Sequence, residues 1–153
     1  RRSRRTEHPM PAALHPYLRF PGNAREAFEF YGAALGAQPQ FATFGDAGAV
    51  PPDDPVADAI MHGSLEVTDL IRLYVSDDVE GMSPDPLSVG NNVTLAIMGD
   101  DEARIRSAFD ALSDGGTVQI PLQQQMWGDT YGAFRDRFGI NWQMNISALD
   151  PES

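Results

Sequence analysis

The chain has 153 residues, no cysteine and a formal net charge of −11, with 42% apolar residues. That length fits one domain burying roughly 70% of the surface its unfolded chain exposes. The missing cysteine excludes disulfides, thiolate catalysis and thiolate metal sites. The acidity argues against a basic nucleic-acid-binding face. No apolar run approaches the ~20 residues that span a bilayer. A cytoplasmic protein binding neither nucleic acid nor membrane is expected.

The chain opens "RRSRRTEHPMPAA", with four arginines in its first five positions. No apolar stretch follows, so this is not the pattern of a secretory signal. Residues 1–13 are expected to form a disordered arm, with His8 inert in it. A single domain is expected over residues 14–150.

"LHPYLRF", Leu14 to Phe20, is the first strand candidate. Pro16 suits an edge or a strand start, because proline has no N–H for a ladder. "PGNAREAFEFYGAALGA" reads as a helix. Asn23 can cap it, with Glu26 completing a variant of the capping box. Ala24, Ala27, Phe28, Tyr31 and Leu35 recur at helical spacing, and Gly36 suits the C-terminal end. "AQPQFATFG" reads as a short strand. The acidic, Gly- and Pro-rich "DAGAVPPDDPVAD" reads as a loop. "AIMHGSLEV" and "LIRLYVSDD" are two strands joined by a turn near Thr68 and Asp69, and "VEGMSPDPLSVGN" is a second loop.

The order then starts again. "NVTLAIMG" is a strand and "DDEARIRSAFDALSDGG" a helix with Ile105, Ala108, Phe109 and Leu112 inward. "TVQIPLQQ", "TYGAFRDRF" and "NWQMNIS" are three further strands, the last two joined by a tight turn at Asp136-Arg137-Phe138-Gly139. Phe28, Tyr31, Gly32 and Leu35 align with Ile105, Ala108, Phe109 and Leu112. The chain thus reads β-α-β-β-β twice, with modules over about residues 14–80 and 91–148. One such unit leaves a sheet face bare, whereas two can curve round a shared cavity with helices outside. The predicted class is α+β, two tandem βαβββ modules forming a curved, partly open barrel.

A duplicated βαβββ unit resembles the vicinal oxygen chelate superfamily, which includes glyoxalase I, bleomycin-resistance proteins and extradiol dioxygenases. "YLRFPGNAREAFEFYGAALGA", "IMHGSLEV" and "VQIPLQQQMWGDTYGAFRDRFGINWQMN" resemble its PhnB-like branch. The W-G-x-x-Y-G and D-x-F-G-x-x-W patterns are the more specific part. The resemblance implies a cavity and a homodimer, but no particular reaction. Some proteins of this branch are described as methyltransferases. This chain has no glycine-rich βα turn after a first strand that could hold S-adenosylmethionine.

Metal enzymes of the superfamily carry ligands on the first and last strand of each unit. Laid on this chain, the pattern falls on His15, on Arg72 or Tyr74, on Asn92 and on Gln143. Only His15 is a good ligand for a catalytic transition metal. Arginine repels a cation, and amide oxygens suit calcium better than zinc or iron. No metal cofactor is therefore expected, although a divalent ion on other ligands stays open.

Strand alternation gives the rest of the expected site. His15, Tyr17 and Arg19 share a face, as do Arg72 and Tyr74, Asn92 and Thr94, and Asn141, Gln143 and Asn145. The opposite faces are apolar: Leu14 and Leu18, Ile71 and Leu73, Val93 and Leu95, Trp142 and Met144. If the polar faces line the cavity, they suit a small ligand carrying carboxylate, phosphonate or carbonyl oxygens. His62 shares a face with Ser64 and Glu66, but successive residues on one face stand about 6–7 Å apart, too far for a directly bonded triad. Trp127 lies on a loop, where it either caps a cavity or packs against a partner subunit. Asp129 reads as a turn residue. The expected ligand-binding set is His15, Tyr17, Arg19, His62, Arg72, Tyr74, Asn92, Trp127 and Gln143. The function expected is binding of a small polar organic molecule without a metal. The alternatives are a metal-dependent lyase or dioxygenase using His15, His62 and Glu66, and a drug-sequestering resistance protein.

Overall fold

The computed structural model describes residues 11–148. The expected N-terminal arm and His8 lie outside these residues, apart from positions 11–13. The first module consists of β1 (Tyr17–Phe20), α1 (Ala24–Leu35), β2 (Gln40–Thr43), β3 (Ile60–Glu66) and β4 (Arg72–Asp77). The second consists of β5 (Leu95–Gly99), α2 (Glu102–Ser113), β6 (Thr117–Gln124), β7 (Thr130–Arg135) and β8 (Asn141–Ile146). Each forms a four-stranded mixed sheet, in the orders β1-β4-β3-β2 and β5-β8-β7-β6. First and last strands run parallel, and the other pairs are antiparallel. The described residues form no closed barrel.

β1 and β5 start later than their alternation predicted. β1 begins at Tyr17, one residue past Pro16, whose carbonyl accepts from Tyr74 N at 3.1 Å but which has no N–H of its own. Leu14, expected on the apolar face, is 99% exposed. β5 begins at Leu95, so Asn92 and Val93 precede it, and Val93 is exposed instead of buried.

The helices bury the faces their spacing predicted. Ala24, Ala27, Phe28, Tyr31 and Leu35 on α1, and Ile105, Ala108, Phe109 and Leu112 on α2, all enter one core. α2 is capped by a neighbouring side chain, with Asp101 Oδ1 accepting from Arg104 N at 3.2 Å. α1 is not. Asn23 makes no side-chain cap bond, and its Oδ1 is buried without a partner. The acceptor comes from β4 instead: Asp77 Oδ1 takes Ala24 N at 2.9 Å, and its Oδ2 takes Ile60 N at 2.8 Å. One buried carboxylate thus ties the start of α1 to the start of β3. Gly36 ends α1 in the left-handed region, at φ 80°, a conformation that costs glycine little.

The modules are joined by α1 against α2 and by the β7–β8 turn, which reaches the first module. Phe138 of that turn packs edge-on to Phe20, Phe30 and Tyr31, with centroids 6.2, 5.6 and 6.0 Å away. Asp136, 4% exposed, anchors the turn. Its Oδ1 accepts from Phe138 N and Ile140 N at 2.8 and 3.0 Å. Its Oδ2 accepts from Tyr31 Oη at 2.5 Å and from Trp142 Nε1 at 2.9 Å. Burial, and next the Asp136 charge, push the Tyr31 phenol above its ordinary range.

Candidate functional site

Each sheet packs one face on the core and leaves the other uncovered, as expected of sheets with alternating polarity. On the first sheet, Tyr17, Tyr74, Ser64 and Gln40 stand abreast across four strands, by the register Tyr17↔Tyr74, Ser64↔Tyr74 and Gln40↔Ser64. Four rings gather at the β1 end. His15 meets Tyr74 edge-on at 5.3 Å. Tyr17 and Tyr74 stack at 6.3 Å, and His62 and Tyr74 at 5.6 Å. Tyr17 Oη and His62 Nδ1 lie 3.0 Å apart. With Nδ1 unprotonated the phenol donates, leaving the proton of the neutral imidazole on Nε2. Tyr17 is 52% exposed, so the cluster is a wall and not a core. Four of the nine residues expected in the site, His15, Tyr17, His62 and Tyr74, thus come together. Glu66 lies opposite Arg72 in the ladder, and no hydrogen bond links His62, Ser64 and Glu66 among the described residues.

The two arginines of the expected set already have acidic neighbours. Arg19 pairs with Asp78 and donates to Ser83 Oγ at 3.1 Å and to the Asp85 carbonyl at 2.9 Å. It fastens the segment after β4 to β1. Arg72 lies 3.5 Å from the exposed Asp69, with its Nε buried and unpartnered. It borders a groove of about 1100 Å³ between the β3–β4 turn and β5, also lined by Thr94, Met98, Arg104 and Trp142.

The amide row of β8 behaves as its alternation indicates, with Trp142, Met144 and Ile146 in the core. On the open face, Tyr131 Oη donates to Gln143 Oε1 at 3.1 Å, so the Gln143 amino group points its donors elsewhere. Asn145 Nδ2 donates to Asp129 Oδ2 at 3.0 Å, and Ala148 N donates to Oδ1 at 2.8 Å. These bonds, the backbone one first, hold the Asp129 carboxyl below its ordinary value. Asp129 is thus a turn anchor. Trp127 is 63% exposed on the β6–β7 turn. Asn92 does not join this face: it lies exposed before β5, and the β5 residue beside Gln143 is Ala96. Tyr131 and Arg135 were missed in the sequence, although Gly132 and Phe134 turning inward in "TYGAFR" put both on the open face.

The residues do not suit a catalytic metal. No three His, Asp or Glu side chains gather into a group able to hold an ion among the described residues. Against His15 stands the Tyr74 ring, and beside Gln143 stands Ala96. Neither supplies the three His or carboxylate ligands that a catalytic centre usually takes.

The model of the Glyoxalase/Bleomycin resistance protein/Dioxygenase superfamily matches residues 13–144. The chain belongs to this superfamily. Protein PA1353 from Pseudomonas aeruginosa is a similar solved structure, with TM-score 0.75, 34% identity, and coverage of 91% of this chain and 100% of that one. A PhnB protein from Bacillus cereus, titled a putative 3-demethylubiquinone-9 3-methyltransferase, shares the fold at TM-score 0.67 and 18% identity, covering 89% of this chain and 100% of that one. Uncharacterized protein Rv0887c of Mycobacterium tuberculosis is 32% identical over 138 residues, 86% of this chain and 72% of its own length. Protein YjdN of Escherichia coli is 25% identical over 90% of this chain and 97% of its own. Superfamily membership accounts for the module plan and leaves the activity unassigned. No helix among the described residues is long and apolar enough to cross a membrane.

Proposed function

We propose that this superfamily member binds a small polar organic molecule on its open sheet faces, without a metal. The observation that carries the reading is the ring wall of His15, Tyr17, His62 and Tyr74 on a face its own chain leaves bare. Aromatic walls with a few polar tips are what small-molecule sites are made of. Gln143, its donors freed by Tyr131, supplies a polar contact on the second sheet. Of the rest of the expected set, Arg72 fronts the intermodule groove, Arg19 orders the segment beside the wall, and Asn92 and Trp127 stand on loops. The working form is a cytoplasmic homodimer. Exposed Tyr17, Met98, Ile120 and Trp127 favour a second copy over these faces.

The test is a melting-temperature screen of small acids and carbonyl compounds, after elemental analysis of the purified protein. A ligand at about 100 times its Kd adds about 2.7 kcal/mol, or roughly 5–10 °C for a chain of this size. The shift should shrink for Tyr17→Ala and for His62→Ala. A stoichiometric bound divalent metal would overturn the metal-free reading. Equal shifts in wild type and both variants would move the site off this wall.

A further inference from the structure

The protein is strongly acidic, and most arginines among the described residues already have a partner. Among the described residues, Arg19, Arg72, Arg104, Arg106 and Arg137 each have a carboxylate within 4 Å, and Arg25 lies over the Phe41 ring at 4.7 Å. Arg135 has neither an acid, a hydrogen-bond acceptor nor a ring among them, although it is part-buried. Its guanidinium lies beside the β7–β8 turn. Nη2 and Nε lie 3.6 and 3.9 Å from where a Cβ on Gly139 would stand, and Val89 Cγ1 is 3.9 Å from the same point. The absent side chain of Gly139 leaves room beside the cation.

The neighbours of Arg135 are donors too. In the ladder it stands between Thr117 of β6 and Asn141 of β8. Asn141 is 9% exposed and makes no side-chain hydrogen bond among the described residues. The backbones of a threonine, an arginine and an asparagine thus stand abreast at strand spacing, about 4.8 Å apart, with their side chains on one face. The next polar position on β8 is Gln143, its oxygen taken by Tyr131 and its amino group free. This end of the sheet can donate to several oxygens at once, and among the described residues no carboxylate pairs with Arg135.

We infer that the open face of the second sheet binds the carboxylate of a small organic acid through Arg135 and Asn141, with a 2-oxo or 2-hydroxy acid as the ligand class. The guanidinium fork takes the carboxylate oxygens. The Asn141 amide, one strand away, accepts or donates to the adjacent oxo or hydroxyl oxygen, which a plain carboxylate such as acetate lacks. The role the sequence offered to Arg72 passes to Arg135, because Arg72 already faces Asp69 and Arg135 faces no acid. The inference rests on the reading that the open faces bind a small polar molecule, and it adds the residue and chemistry that select it.

The test is titration of the full chain with pyruvate, lactate and acetate, followed by ¹H–¹⁵N signals of the backbone amides and of the arginine Nε and asparagine side chains. Pyruvate or lactate should move the Arg135 and Asn141 signals and bind more tightly than acetate. Arg135→Gln should weaken binding about tenfold or more, Arg135→Lys should restore only part of it, and Arg72→Gln should leave it unchanged. The melting temperature of each variant shows that it folds. If pyruvate moves the signals of Tyr17, His62 and Tyr74 and Arg135→Gln binds it as wild type does, the inference fails while the wider reading stands. If none of the three acids moves either face at tens of millimolar, the inference fails, and the wider reading is then decided by the melting screen alone.

Discussion

Replacing Asp136 by alanine should be among the most damaging single changes in the chain. The carboxylate accepts from Tyr31 Oη, Trp142 Nε1 and the backbone N–H groups of Phe138 and Ile140. Tyr31 is 0% and Trp142 2% exposed, so water cannot stand in for the lost oxygen at either. Each buried donor left without an acceptor costs about 1–3 kcal/mol. The two backbone donors are in a part-buried turn, where water replaces the acceptor at smaller cost. About 4 kcal/mol in total is the central expectation, at the upper end of point-mutant effects. For a chain of this length that lowers Tm by roughly 8–16 °C. The assay is urea and thermal denaturation followed by far-UV circular dichroism and by tryptophan fluorescence, since Trp142 reports on the joint. Tyr31→Phe is the control. It removes donor and bond together and should cost only about 1 kcal/mol. In the Tyr31→Phe background, Asp136→Ala should cost about 1–2 kcal/mol less than in wild type, because one stranded donor is gone. A Tm within about 3 °C of wild type for Asp136→Ala would refute the reasoning, as would strict additivity of the two substitutions.

The raised Tyr31 phenol has its own signature in alkali. Unfolded Tyr31 loses its proton near the ordinary tyrosine value of 10.0, whereas folded Tyr31 keeps it well above that. The native state therefore binds the extra proton, and stability should fall above pH 10 by up to about 1.4 kcal/mol per pH unit from this group. Denaturation between pH 9 and 11 should show that slope in wild type and its loss in Tyr31→Phe, and equal slopes would refute the assignment. Gly132→Ala should also destabilise. Its Cβ would stand 2.8 Å from both Leu122 Cα and Phe109 Cε2, so β6 or α2 must give way at about 1–3 kcal/mol. A neutral result by urea titration would mean that β6 shifts freely at its register break between Ile120 and Gln123.

What could be read from the sequence, and what could not, divides along one physical line. Periodicity is local, so it placed Ala27, Phe28, Tyr31, Ile105 and Phe109 in the core and His15 and Tyr17 on one face of their strand, but it could not show that Tyr74 of β4 stands beside them. Strand ends were harder, because alternation runs on past the residue where pairing stops, as at Leu14 and Val93. Partners were hardest of all. Asn23 has the right type and spacing to cap α1, yet the cap on Ala24 N comes from Asp77, 53 positions beyond Ala24. Asp136 reads as an ordinary turn acid, yet its hydroxyl partner lies 105 positions off. For charges, this gap changes the functional reading. Arg19, Arg72 and Arg135 look alike in a string of letters, each alternating onto an open face. What separates them is whether an acid has already taken the guanidinium, and that depends on loops such as 78–85 folding back onto β1. In a chain with 22 acidic residues and 11 basic ones, a pairing partner is the default for an arginine. The informative cation is therefore the one that the fold leaves without a partner, and no window of the sequence is wide enough to show which one that is.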